Sequence, residues 1–158
     1  MDNIKLSKEY LKRAFEFQVE GKLFDAEINF KLSLQYNPTS EAHTFLGWLY
    51  SISGKYEEAI EECIFAIQLD HEFGNPYNDI GSYLVQLGKE EESIKWFSKA
   101  IKAPRYEPRH LPYFNLGKVY RKKGDWRRSA QMFKSALIMK PDYSPARKEY
   151  YKIISLSN

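Results

Sequence analysis

Two interleaved glycine series set the frame of this 158-residue chain. Gly47, Gly81 and Gly117 lie 34 and 36 residues apart, and Gly21, Gly54, Gly88 and Gly124 lie 33, 34 and 36 apart. Seven residues separate a member of the first series from its follower in the second. A period of that size means copies of one small supersecondary unit. Each copy cannot bury its own apolar face, so the copies must stack. The segments around the first series align with one another: His43 to Tyr50, Tyr77 to Leu84, and Tyr113 to Tyr120. Within the first of them, His43, Leu46, Gly47 and Tyr50 fall at i, i+3, i+4 and i+7, one stripe of a helix.

The same spacing continues beyond each later glycine. Tyr56, Ala59, Cys63, Ala66 and Ile67 form one buried side, and Trp126, Ser129, Phe133, Ala136 and Leu137 repeat it. The glycines of the first series let two helices approach closely, and those of the second end a helix in a left-handed conformation. Pro38 and Pro141 follow two second helices, which they cannot continue. The pattern predicts helices over about 7–20, 23–36, 40–53, 56–69, 75–87, 90–102, 110–123, 126–139 and 143–155. The stretch from Ala103 to His110 exceeds the period by two residues. Its two prolines and two arginines predict a stiff, projecting loop, more a tolerated insertion than a contact site.

These residues resemble the tetratricopeptide-repeat (TPR) family, whose 34-residue unit reads W-x2-L-G-x2-Y, then A-x3-F, then P. The second repeat carries Leu46-Gly47, Tyr50, Gly54, Tyr56 and Ala59, with His71 where proline is usual. The third carries Ile80-Gly81, Gly88, Phe97 and Ala100; the fourth carries Leu116-Gly117, Tyr120, Gly124, Phe133, Ala136 and Pro141. The first is weaker: Arg13-Ala14 replaces the Leu-Gly pair, while Phe17, Gly21, Ala26, Phe30 and Pro38 remain. The resemblance implies an all-α, right-handed solenoid in a single domain, residues 1–158. Its repeats run about 7–39, 40–73, 74–109 and 110–143, with a capping helix at 143–155. A lid is expected because an open solenoid end leaves apolar surface in water.

Chemistry is expected to be absent. There is no Gly-rich phosphate loop, Cys-x-x-Cys pair or His-Glu-x-x-His helix, and no cofactor or metal is implied. His43, His71 and His110 lie 28 and 39 residues apart, with no second ligand at metal spacing. Glu57-Glu58 and Glu90-Glu91-Glu92 open second helices, where negative charge complements the helix dipole. The single cysteine, Cys63, takes a core slot and fits a reducing compartment. With no signal peptide and no apolar run of about 20 residues, the expected location is cytoplasmic.

What remains is binding. In this family the first helices line a concave groove, which puts the groove residues opposite the Leu-Gly-Tyr stripe. They are Lys8, Leu11, Phe15, Gln18 and Val19; then Glu41, Thr44, Phe45, Trp48 and Ile52; then Asn75, Asn78, Asp79, Ser82 and Val85; then Leu111, Phe114, Asn115, Lys118, Arg121 and Lys122. The candidate contacts are Leu11, Phe15, Val19, Thr44, Trp48, Asn78, Ser82, Phe114, Asn115, Lys118, Arg121 and Lys122. Phe45 and Ile52 are expected to pack against the neighbouring repeat instead. The surface grades from aromatic in front to cationic behind, which predicts a protein or peptide ligand with an apolar part and an acidic part. Arrays that grip acidic chaperone tails need Lys, Asn and Arg at set groove positions. Here the matching residues are Leu11, Phe15, Phe45, Asn75 and Asp79, or Thr44, Trp48, Asp79, Leu111 and Asn115, and neither set makes that clamp.

Two other readings compete. Residues 1–102 carry 11 Lys/Arg against 17 Asp/Glu, and residues 103–158 carry 13 against 4. The basic rear could bind a polyanion through Arg105, Arg109, Lys118, Arg121, Lys122, Lys123, Arg127 and Arg128, with Tyr106 or Trp126 stacking on bases. Against it, Trp126 matches a core slot and the acidic front repels phosphate, so nucleic acid and membrane are not expected partners. The third reading is a homo-oligomer through the uncapped N-terminal end, where Ile4, Leu6, Leu11 and Phe15 could meet another copy.

Overall fold

A computed structural model describes residues 2–156; Met1, Ser157 and Asn158 of the expected 1–158 domain lie outside them. Among the described residues nine helices follow in order: α1 (Asn3–Val19), α2 (Leu23–Tyr36), α3 (Ser40–Ile52), α4 (Tyr56–Leu69), α5 (Asn75–Gln86), α6 (Glu90–Lys102), α7 (His110–Lys122), α8 (Trp126–Met139) and α9 (Ser144–Leu156). Every boundary falls within one residue of the sequence pattern except the first. There α1 begins four residues ahead of position 7, because Asp2 caps it and its side chain accepts from the Ile4 N–H at 3.0 Å. A carboxylate at that place satisfies an orphan donor and complements the helix dipole.

The turn inside each helix pair is closed by a left-handed glycine. Gly124 has φ of +76°, its N–H reaches the Arg121 carbonyl at 3.0 Å, and the next N–H, of Asp125, reaches back to Tyr120 at 2.9 Å. Residues with a Cβ pay a steric penalty of about 1–2 kcal/mol there.

Helices pack first within a pair, α1 on α2 through α7 on α8, and each second helix then packs on the following first helix. Close approach comes from the other glycine series. A Cβ on Gly81 would stand 2.6 Å from the Phe97 ring, and one on Gly117 would stand 2.6 Å from Phe133. Phe30, Phe97 and Phe133 hold equivalent places on α2, α6 and α8, and Cys63 takes that place on α4; none is more than 1% exposed. Buried Ser129 is satisfied too, its hydroxyl donating to the Gly117 carbonyl at 2.7 Å. Ala146 and Ile153 of α9 close the last apolar surface over Phe133 and Ala136.

The 103–110 segment does not project. Arg105 pairs in parallel with Phe73 through backbone bonds to Glu72 and Gly74. Tyr106 is 4% exposed and fills the space above Gly74, where a Cβ would come within 2.3 Å of the tyrosine's own. Arg109 turns back to donate to the carbonyls of Ile101, in the last turn of α6, and of Ala103 and Pro104 just beyond it. The extra residues are a latch between two repeats. Trp126 also departs from its expected core slot: at the first position of α8 it is 51% exposed.

Candidate interaction groove

The first helices α3, α5 and α7 touch one another in sequence, whereas consecutive second helices make no comparable contact. The row of first helices is therefore the inner arc of the stack and presents its concave side. At the front, the Phe15 ring stands edge-on to Phe45 at 4.6 Å and to Phe30 at 5.4 Å, so Phe15 belongs partly to the core. Phe45 packs against the neighbouring repeat as expected, but Ile52, at the end of α3, is 48% exposed.

The candidate residues divide by what they can offer. Val19 and Trp48 are exposed, at 89% and 36%, and among the described residues Trp48 makes no ring contact with another aromatic. Leu11 is partly buried against the first core cluster. Thr44 is buried and turns its hydroxyl onto the Ser40 carbonyl at 2.7 Å. Asn78 is buried as well, and its Oδ1 accepts from Asn115 Nδ2 at 3.1 Å, tying α5 to α7. Ser82 donates to the Asn78 carbonyl. These groups form the groove floor, with their polar atoms already engaged. Phe114 lies between Phe133 and Tyr143 at centroid distances of 5.6 and 5.3 Å.

At the rear several of the candidate cations are matched. Arg121 pairs with Glu149, Lys122 with Glu90 and Lys123 with Glu91. Arg105 pairs with Asp70, and Arg128 with Asp125 at 2.6 Å. Lys118 has no acidic partner among the described residues. Its ammonium sits 5.0 Å from the Phe114 ring centroid, and burial, then the charge of Arg121, lowers its pKa from the ordinary lysine value. It borders a trough of about 480 Å3 shared with Val85, Val119, Arg121, Lys122 and Trp126. The stacking role considered for Tyr106 is closed by its burial.

Asp79, placed on the groove by helical spacing, has its carboxyl desolvated instead. Burial pushes its pKa up to about 7, against a hydrogen bond from Asn78 that favours the charged form. Its charge in turn raises, after burial itself, the Cys63 thiol and the Tyr83 and Tyr106 hydroxyls. The repeat register could have flagged it: Asp79 stands two residues before Gly81, as Phe45 and Asn115 stand before Gly47 and Gly117. Spacing along the sequence also missed the carboxylate beside His43, whose Nδ1 lies 2.6 Å from Glu62 of α4. Among the described residues no three acidic, His or Cys side chains converge as metal ligands, and no helix is long and apolar enough to cross a membrane.

Family models described as tetratricopeptide repeat match residues 40–72, 75–106 and 113–145. A curated Haemophilus influenzae protein, described as uncharacterized, is 30% identical over 82 residues, covering 51% of this chain and 46% of its own length. The chain thus spans less than half of that relative. Among solved structures, one titled for the functional characterization of Pseudomonas aeruginosa pilF superposes with a TM-score of 0.90 at 18% identity, covering 99% of this chain and 71% of the other. YrrB, titled a TPR protein with an unusual peptide-binding site, gives 0.71 at 17% identity, covering 94% and 76%. At such identities the likeness concerns the fold.

Proposed function

The chain belongs to the tetratricopeptide-repeat family, and from that premise we propose that it is a protein-interaction scaffold holding a peptide or protein segment along the inner arc of first helices. The observation that carries this reading is Trp48: a large aromatic, 36% exposed on an inner helix, with no ring packed on it among the described residues. Burying such a side chain in a partner releases more free energy than burying almost any other residue. Lys118 stands on α7 farther along the same arc, without an acidic partner among the described residues, and suits an acidic group of the ligand. An apolar residue near Trp48 and an acidic one near Lys118 therefore define the ligand. YrrB, with its peptide-binding site, supports a peptide as the form of that ligand.

The test is affinity purification with the wild type, Trp48→Ala and Lys118→Glu, followed by titration of the captured segment as a synthetic peptide. Trp48→Ala is expected to weaken binding by at least about 10-fold, the scale of an interface hot spot, with little change in melting temperature. Unchanged peptide affinity in both variants overturns the groove reading.

A further inference from the structure

The exposed face of α1 carries a charge pattern that is its own complement. Leu11, Phe15 and Val19 follow one another at four-residue spacing, the interval that keeps side chains on one face. Beside them run Lys8 and Lys12 in the first half and Glu16 and Glu20 in the second, and all seven line one open trough of about 650 Å3. No element of the described chain covers it. Lys12 sits two residues before Ala14, the register place of Phe45 and Asn115, whose side chains meet the preceding first helix. The trough is thus the surface on which another first helix would sit.

We propose that the occupant is α1 of a second copy of this chain, packed antiparallel about a two-fold axis near residues 14–15 of both. In that arrangement Lys8 faces Glu20 of the second copy, and Lys12 faces Glu16. Symmetry doubles each pair, as an isologous interface requires. The apolar line is centred on Phe15 and the charge pattern on residue 14, a difference of one residue or about 1.5 Å along the axis. Parallel packing in the same register would set lysine against lysine and glutamate against glutamate.

The charges also select against other occupants. An anionic surface or acidic segment would be repelled by Glu16 and Glu20, and a basic one by Lys8 and Lys12. Existing pairs do not compete strongly. Lys12 and Glu16 stand 3.8 Å apart with side chains 79% and 58% exposed, and Glu20 meets Lys22 at 2.7 Å in a similarly exposed setting. Exposed pairs of this kind contribute little. A single 17-residue helix pair falls at the small end of specific interfaces, so the dimer forms and dissociates with concentration.

Sedimentation equilibrium of the full chain at low salt tests this. The wild type is expected to show a monomer–dimer equilibrium that weakens as salt rises. Lys12→Glu raises the dimer dissociation constant by at least about 10-fold. Combining Lys12→Glu with Glu16→Lys restores it, since the two introduced charges are opposite in sign and face each other across the axis. Val19→Asp, at a position 89% exposed in the monomer, abolishes the dimer without disturbing the fold, which circular dichroism checks. A wild type that stays monomeric throughout, a dimer indifferent to Lys12→Glu, or no rescue by the charge swap overturns the proposal. Lys12→Glu leaves Trp48 and Lys118 intact, so a lost dimer with retained peptide binding separates this interface from the groove.

Discussion

Asp79 and Asn115 occupy the same place in consecutive repeats, two residues before a first-helix glycine, and the chain uses the two places in opposite ways. At Asn115 an amide bridges to Asn78, and the joint between α5 and α7 is polar and neutral. At Asp79 a carboxyl is enclosed near Cys63, Tyr83 and Tyr106, and only Asn78 offsets the loss of water around it. The two joints share a geometry, and the chemistry placed in it decides whether a joint responds to pH. An amide is indifferent to protons, whereas a desolvated acid holds one well above its ordinary range.

Three substitutions break or sharpen this contrast. The largest effect belongs to Phe97→Ala. Its ring lies under Gly81 of α5 and packs with Leu116 and Val119 of α7, so the α5–α7 joint rests on it. Thermal or urea unfolding should show a loss of about 3–5 kcal/mol, the scale of a deleted core phenylalanine. A loss below about 1 kcal/mol would mean that the ring does not hold α5 against α7.

Asp79→Asn comes next. The folded carboxyl titrates near 7 and the unfolded one near 3.8, so between those pH values the native state binds the extra proton. Its contribution is present in full below the unfolded value and is lost as pH rises through the folded one. Relative to wild type, Asp79→Asn is expected to be more stable above pH 7, by up to about 4 kcal/mol at about 1.4 kcal/mol per pKa unit. That advantage fades as pH falls towards the unfolded value. Denaturant midpoints of both proteins across this range check it, and parallel pH profiles would show that the carboxyl is solvated after all.

The smallest effect is at the neutral joint. Asn115→Ala leaves the Oδ1 of buried Asn78 without its donor, which costs about 1–3 kcal/mol, equal in mildly acidic and mildly basic buffer. A pH-dependent cost there would erase the distinction between the joints.

Helix boundaries and repeat register were legible because they are local. Spacings of three and four residues around Gly47, Gly81 and Gly117 state which side of each helix is buried, and a glycine at φ between +73° and +76° ends a helix wherever it sits. The legibility failed where partners lie far apart in sequence. Tyr106 reads as a loop tyrosine until it meets Gly74 across 32 residues, and Arg109 as a surface cation until it turns to the end of α6. Arg121 and Lys122 read as free groove charges until α9 and α6 bring Glu149 and Glu90 to them.

What the sequence determined alone is the stack of helix pairs, since periodicity is a property of each segment. Only the tertiary structure decided which polar groups remain available on the inner arc. Thr44 and Asn78 have polar partners and Lys118 faces an aromatic ring rather than a carboxylate, because that depends on how closely one repeat settles on the next. Charge availability is the small remainder after neighbours from other helices have been counted, and no single repeat contains its neighbours.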